Sequence, residues 1–394
     1  MLAYARKRAA ALVADRALAI YGALLAATQL LTVAWMIQYR VWQLLARGSP
    51  VICWPMLPGC DPWRVLSPLQ IQLVMGLSAL LSIAAIAAFL RRKTASWWLL
   101  ALNQLLQVAL IAQDFQLRRN QHYMLTLVVL ATLLLPEPKR AVRYLIVLFY
   151  VAAGTLKLNR EWLTGAALYG PVPISGWPLR VACGYVVLLE LVLIWGLLST
   201  HKRIFQAVLI QVALFELASL PIVGFFYPVL MVLMLGLFWT ARDESERPLR
   251  FFPESLATQL FLLVFALLQV VPHLFPGDTA ITGEGRLFAL HMFDAKIVCS
   301  SEARVRRGDD VIRVYDLNIG LPIRIACDPA VLVARGETVC KTLPGPQFHV
   351  DLSLESRRSS DPALRKIVSL TDVCGRLPDY KWWRHNDWIS AAPL

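Results

Sequence analysis

Residues 68–93 read PLQIQLVMGLSALLSIAAIAAFLRRK, twenty-three residues without a charge followed by three cations in a row. A bilayer core about 30 Å thick takes roughly 20 apolar residues of helix to cross. Lys and Arg collect on the cytoplasmic side of such crossings. The stretch therefore reads as a transmembrane helix ending at a cytoplasmic edge, and the first 273 residues repeat its form. Apolar runs lie at Ala17 to Tyr39, Pro68 to Leu90, Ala95 to Gln113, His122 to Leu135, Tyr144 to Lys157, Val181 to Thr200, Ile204 to Leu220, Ile222 to Trp239 and Phe251 to His273. The expected architecture is an all-α polytopic membrane bundle of about nine transmembrane helices over residues 1–273. The seventh and eighth runs read equally as two spans or a re-entrant pair, because Leu220, Pro221 and Ile222 leave almost no loop.

Composition agrees with that reading. The chain has 394 residues, 58% of them hydrophobic and only 16% charged, which excludes an ordinary soluble protein, a disordered chain and a collagen. The net charge of +13 does not point to nucleic acid, since the basic residues punctuate apolar runs instead of forming a patch. Connections on one side carry fifteen Lys/Arg, in the clusters before Ala17 and at Arg91 to Lys93, Lys139 to Arg143, Lys202–Arg203 and Arg242 to Arg250. Short connections on the other side carry seven, Arg40, Arg47, Arg64, Arg118, Arg119, Arg160 and Arg180. That asymmetry puts the N-terminus in the cytoplasm and the C-terminus across the membrane. The first run follows Arg6, Lys7, Arg8 and Arg16 with no small-residue cleavage site, so it is expected to stay as the first helix.

From about Leu274 the composition becomes balanced, with sixteen basic and fifteen acidic residues. Alternating stretches at Val311 to Leu317 and Phe348 to Leu354 read as strands. Residues 274–394 are thus expected to be a strand-rich domain in the periplasm or a lumen. Six of the seven cysteines, Cys53, Cys60, Cys299, Cys327, Cys340 and Cys374, fall on that outer side, an even set that suggests disulfides of open connectivity. Cys183, inside the sixth run, reads as a small packing residue. Without a CxxC pair or a paired-His motif, nothing points to a metal.

Ionisable residues inside apolar runs cost roughly 2.5 kcal/mol or more at a helix centre, so each needs a reason. Lys157 ends a run of small residues, Ala152-Ala153-Gly154-Thr155, that permits close helix approach. Two readings are open. Lys157 snorkels to the interface beside Trp162, or it faces the bundle interior as a desolvated amine able to take a proton. On the second reading its partners come from Asp114, Asn120, Gln121 and His122, expected at the same outer level, or from Glu190 in the sixth run. Glu190 and Glu216 also read as buried carboxylates bonded to a neighbouring helix. A transporter is disfavoured by the lack of inverted repeats.

The segment Ala153-Gly154-Thr155-Leu156-Lys157-Leu158-Asn159, with Glu161-Trp162-Leu163 and Gly165 after it, resembles the lysine segment of the vitamin K-dependent gamma-glutamyl carboxylase family, within the wider HTTM (horizontally transferred transmembrane domain) family. Asn120-Gln121-His122-Tyr123 resembles that family's upstream Asn-His segment, and Gly283 to Met292 weakly resembles the start of its lumenal domain. The resemblance implies that Lys157 is a base acting on vitamin K-type hydroquinone. Together with the reading of the residues, this gives Lys157, His122, Asn120 and Asp114 as candidate catalytic residues and Asn159, Trp162 and Glu190 as candidate substrate-binding residues. The family's first lysine is replaced here by Leu156, His122 falls one place late, and Ala289 and Leu290 replace its serine and tryptophan. The expected function is a membrane enzyme acting on a quinol or a peptide side chain; the alternative is a non-catalytic membrane factor binding an exported peptide or a lipid. Expected partners are the bilayer and such a substrate, with no nucleic acid.

Overall fold

The computed structural model describes residues 2–48, 50–57, 60, 64–240 and 253–391. The basic cluster Arg242–Arg250 and the start of the ninth run at Phe251 lie outside the described residues. Among the described residues, each of the nine apolar runs is largely helical. After α1 (Leu2–Ala14) come α2 (Arg16–Gln38), α3 (Pro68–Leu90), α4 (Ala95–Ile111), α5 (Asn120–Leu134) and α6 (Pro138–Leu156). A short α7 (Arg160–Thr164) follows, then α8 (Gly176–Leu191), extended by a 3-10 turn at Leu193–Leu198. The remainder are α9 (Lys202–Val223), α10 (Phe226–Thr240) and α11 (Leu256–Val270), the last extended by Val271–Leu274. Five helical stretches, Arg16–Gln38, Pro68–Leu90, Gly176–Leu198, Lys202–Val223 and Leu256–Leu274, are long and apolar enough to cross a membrane, and α4, α5 and α10 are shorter apolar helices.

The fifth run departs most from its expected form. Its helix α6 starts six residues early, at Pro138, after Glu137 at the N-cap position. The missing proline N–H costs nothing in a first turn. The helix gains Lys139, Arg140 and Arg143 and so loses the character of a simple apolar span. Thirteen of its nineteen residues are buried, which makes α6 a central helix wrapped by the others. The seventh and eighth runs are separate helices whose break lies later than Pro221. Proline removes its own N–H and crowds the preceding turn, yet α9 runs through it to Val223. The chain turns at Gly224, with φ 78°, a left-handed region open to glycine.

Uncharged polar side chains join α2, α3, α4 and α5. Asn103 donates to Gln29 Oε1 (2.8 Å) and Ser82 Oγ (2.8 Å) and accepts from Ser78 Oγ (2.7 Å). Gln107 donates to the Gln29 carbonyl (2.8 Å), and Gln104 to Thr126 (3.0 Å). In a medium without water such bonds hold helices together because each donor otherwise stays unsatisfied.

The C-terminal region folds as a four-stranded antiparallel sheet in the order β2-β1-β3-β4, with β1 Ile297–Arg307, β2 Asp310–Asp316, β3 Phe348–Arg358 and β4 Arg365–Leu370. β2 and β3 coincide with the two alternating stretches. One face of the sheet, including Ala303, Val305, Val350, Leu352 and Leu354, packs with α12 (Pro329–Thr342). Gly336 makes that approach possible, since a Cβ there would lie 2.5 Å from Leu352 Cδ1. Three disulfides form, Cys53–Cys60, Cys299–Cys327 and Cys340–Cys374, with Cα separations of 5.5, 5.6 and 5.4 Å. Cys183 is free and buried. The boundary at residue 274 is not sharp, because Leu290 and Met292 pack into the core of the helical bundle.

Candidate active site

Lys157 caps the C-terminal end of α6, where the last turn tightens and its own N–H donates to the Gly154 carbonyl (3.1 Å). Its side chain turns into the protein and is only 2% exposed. The ammonium nitrogen meets both carboxylate oxygens of Glu190 on α8, at 2.5 and 2.6 Å. Glu190 is equally buried. The small residues before Lys157 explain the contact: a Cβ on Gly154 would lie 2.8 Å from Leu191 Cδ2 and 3.0 Å from Glu190 Cβ, so only glycine lets α8 approach this closely. The snorkelling reading of Lys157 therefore gives way to the interior one.

The turn after Lys157 supplies the second contact. Asn159 caps α7 by accepting from the Trp162 N–H (2.9 Å), and Gly165 ends that helix in the left-handed region at φ 81°. This brings the Trp162 ring to 5.0 Å from Lys157 Nζ, a cation–π distance. The indole N–H donates to the Cys183 carbonyl on α8 (3.0 Å), which fixes the ring plane.

Lys157 and Glu190 lie in the wall of a cavity of about 260 Å³ between α8, α9 and the turn after α7. Its other walls are largely apolar and include Leu179, Val186, Phe215, Ala218 and Ile222, with Trp162 and Tyr227 as aromatic members. Met292 and Phe293, from the connection into the C-terminal region, form one side. Phe293 lies 5.5 Å from Trp162, centroid to centroid, and holds φ 56°, a left-handed conformation that costs a bulky residue about 1–3 kcal/mol. Beyond the wall, Glu216 on α9 accepts from the Tyr150 hydroxyl of α6 (2.5 Å), and its second oxygen has no partner.

Glu161, in the first turn of α7, ties the sheet to the bundle. It accepts from the Ser360 N–H (3.0 Å), the Ser359 hydroxyl (3.1 Å) and Arg358 Nη1 (3.3 Å). Arg358 also grips Asp278 through two bonds, at 2.5 and 2.9 Å. Burial opposes the Arg358 charge, but Asp278 and Glu161 more than offset it and raise its pKa. The C-terminal region is thereby docked beside the Lys157 cavity, where it contributes part of the wall.

The other expected site residues are not brought to Lys157. His122 and Asp114 neither line this cavity nor bond to the lysine. His122 is buried among rings, 4.8 Å from Trp35 and 5.8 Å from Phe226, with no hydrogen-bond partner on either nitrogen. Asp114 caps the 3-10 turn at Phe115–Leu117, accepts from the Gln116 N–H (2.8 Å) and lies 3.9 Å from Arg64. Burial pushes its carboxyl up to about 6, against the pull of those two partners. Asn120 clamps the backbone of His291, donating to its carbonyl (2.7 Å) and accepting from its N–H (3.1 Å). Asn159 bridges the Leu156 and Asp294 carbonyls (2.7 and 3.1 Å). The expected cluster around Lys157 is thus replaced by Glu190, Trp162 and an apolar wall. Sequence reasoning missed Tyr227, Met292 and Phe293 as wall residues, because an aromatic or a methionine beside an apolar run has no distinguishing mark.

No family model, curated protein or solved structure matches the chain.

Proposed function

We propose that the chain is a multi-pass membrane enzyme of the HTTM, vitamin K-dependent carboxylase-like kind. In this reading Lys157 and Glu190 together take a proton from a weakly acidic group of an apolar substrate, a quinol or a peptide side chain. The observation that carries the proposal is a buried lysine–carboxylate pair in the wall of a largely apolar cavity. With one proton between Nζ and the carboxylate, the pair keeps one vacant basic site in either arrangement. An apolar surround keeps water from supplying or removing that proton. The residues present suit a hydroquinone, with apolar walls for a ring and one charged pair for a hydroxyl. Bound there, such a molecule would supply the acidic hydroxyl and the reducing electrons. The chain's own part is to orient it against Trp162 and Phe293, exclude water and accept the proton.

The accompanying topology is nine crossings, with the N-terminus in the cytoplasm and the C-terminal region in a periplasm or lumen. Its support is the charge asymmetry of the connections and the grouping of all three disulfides in the first outer loop and the tail.

Equilibrium dialysis of a naphthoquinone against the purified protein in neutral detergent tests the substrate class. Ala218→Trp narrows the cavity while leaving Lys157 and Glu190 in place, and should weaken binding at least about tenfold through lost apolar contact area. Unchanged affinity in that variant would overturn the reading. A second reading, a non-catalytic factor that binds an apolar peptide or lipid in the same cavity, is favoured by the bidentate pairing that already satisfies Glu190.

A further inference from the structure

A second cavity, of about 460 Å³, lies between the start of α5, the junction of α9 with α10 and the C-terminal region. It shares Ile222, Val223, Tyr227, Met292 and Phe293 with the Lys157 cavity, so the two are neighbours across one apolar wall. Its polar lining is of a different kind. Arg118, Arg119 and Arg324 line it, and no carboxylate does.

Two of those arginines are balanced from behind. Arg118 lies 3.4 Å from Asp328 and over the Phe115 ring at 4.5 Å. Arg324 lies 2.7 Å from Asp294 and donates to the Ala295 carbonyl (2.6 Å). Asp294 is shared with Arg286, whose Nη2 lies 2.5 Å from its other oxygen. Burial works against the Asp294 charge, but Arg286 and Arg324 hold its pKa well below the usual carboxylate range. Burial, reinforced by Arg286 and Arg118, holds the pKa of the lining His291 far below its ordinary value, so the imidazole adds no charge at neutral pH.

Arg119 is different. Its Nη1 donates to the Gln116 and Arg118 carbonyls (3.1 and 2.8 Å), and its guanidinium lies 5.7 Å from the Trp35 ring. Among the described residues it has no anionic partner, and Nε and Nη2 have no hydrogen-bond acceptor. The cavity therefore holds one cation in excess, with two donors of a planar fork unused, the arrangement that binds carboxylate or phosphate oxygens. The volume is within the roughly 300–1,000 Å³ of small-molecule sites, far more than a bare oxyanion fills. The rest of the lining, with Ile222, Val223, Met292, Phe293, Ile323 and Ile325, is apolar.

We propose that this cavity is a binding site for an amphiphile bearing a phosphate or carboxylate group, with Arg119 as the fork that takes the oxyanion and the apolar wall holding the body. The site is separate from the proton chemistry at Lys157 and does not depend on it. The same oxyanion could arrive on a lipid headgroup or as a small free anion, and the two sources differ in what they require of the apolar wall.

Calorimetric titration of the full chain in neutral detergent, with three probes, tests this. Dihexanoyl phosphatidylglycerol should bind saturably and dihexanoylglycerol, the same lipid without the phosphate, should not, while inorganic phosphate should compete only weakly. Arg119→Gln should weaken the phosphatidylglycerol affinity at least about tenfold, the effect of losing a charge-assisted bond. Ile323→Trp, which narrows this cavity alone, should weaken phosphatidylglycerol and leave phosphate unaffected. Phosphate binding as tightly as phosphatidylglycerol, insensitive to Ile323→Trp, would overturn the amphiphile and leave a small-anion site. Equal binding of both lipids, or equal binding by wild type and Arg119→Gln with unchanged circular dichroism, would overturn the oxyanion site itself.

Discussion

Lys157→Met alone is expected to destabilise the bundle by about 3–5 kcal/mol, and Glu190→Met alone by a similar amount, whereas the double substitution should cost less than either single one. Each single change leaves a charge in an apolar wall without its partner, and the penalty is that of an uncompensated buried ion. The double change removes both charges and leaves two flexible apolar side chains of suitable size. Both side chains are 2% exposed and 2.5 Å apart, so solvent screening does not weaken the argument. Equilibrium unfolding in mixed micelles, run as a double-mutant cycle, measures the coupling. Additive losses would mean that the two side chains do not act as a pair. The cycle also separates stability from chemistry: the double variant should be the well-folded protein that lacks the proton acceptor.

The second large effect is expected in the C-terminal sheet. Cys299–Cys327 and Cys340–Cys374 close stretches of 28 and 34 residues, and each should contribute about 2–4 kcal/mol by restricting the unfolded chain. The first ties β1 to the turn that precedes α12, and the second ties the end of α12 to the segment after β4. Replacing all four cysteines by serine should therefore open the region from the bundle and expose the 297–370 sheet to protease. Cys53–Cys60 spans only 7 residues, and its removal should matter less. Limited proteolysis of wild type and the two variants reads the difference. A sheet that stays resistant without both pairs would show that its packing on α12 and the Glu161–Arg358 clamp suffice.

The helical bundle was legible in the sequence because long apolar runs have few other uses, and five of the helices are long and apolar enough to cross a membrane. The two alternating stretches appear as β2 and β3 for the same kind of reason, a period of two that only a strand uses. β1 and β4 escaped because Cys299, Ser300 and Ser301 in β1, and Arg365 and Lys366 in β4, interrupt the alternation. α6 began earlier than its apolar run because its first turn carries cations that a hydropathy reading excludes. Lys157 stood out as a rare charge, and Glu190 was one candidate partner among several, the others being expected at its own level. A lysine and a glutamate isolated in neighbouring apolar runs must find each other or stay unpaired, and Glu190 was the one carboxylate in the run that follows.

Asp114, Asn120 and His122 misled because they share an end of the bundle with Lys157, and a common level says nothing of direction around a helix. Their side chains cap a turn, clamp the His291 backbone and pack among rings. The Gln29–Asn103 network had no signature either, since uncharged amides in apolar runs do not alter the charge pattern. Arg118 and Arg119 were counted for topology, and their position in a cavity depends on where the C-terminal region docks, which no local pattern contains.

The central claim is that the Lys157–Glu190 pair accepts a proton from a quinol-type substrate. The most direct measurement is formation of the epoxide from a naphthohydroquinone under air by purified wild type, Lys157→Arg and Lys157→Ala, each checked for folding. Arginine keeps the cation opposite Glu190 but cannot yield a neutral base near neutral pH, and its larger head displaces the proton-sharing geometry. The account predicts turnover above the protein-free rate for wild type, and loss to that background in both variants. Turnover by Lys157→Arg equal to that of wild type, or none by folded wild type, would contradict it.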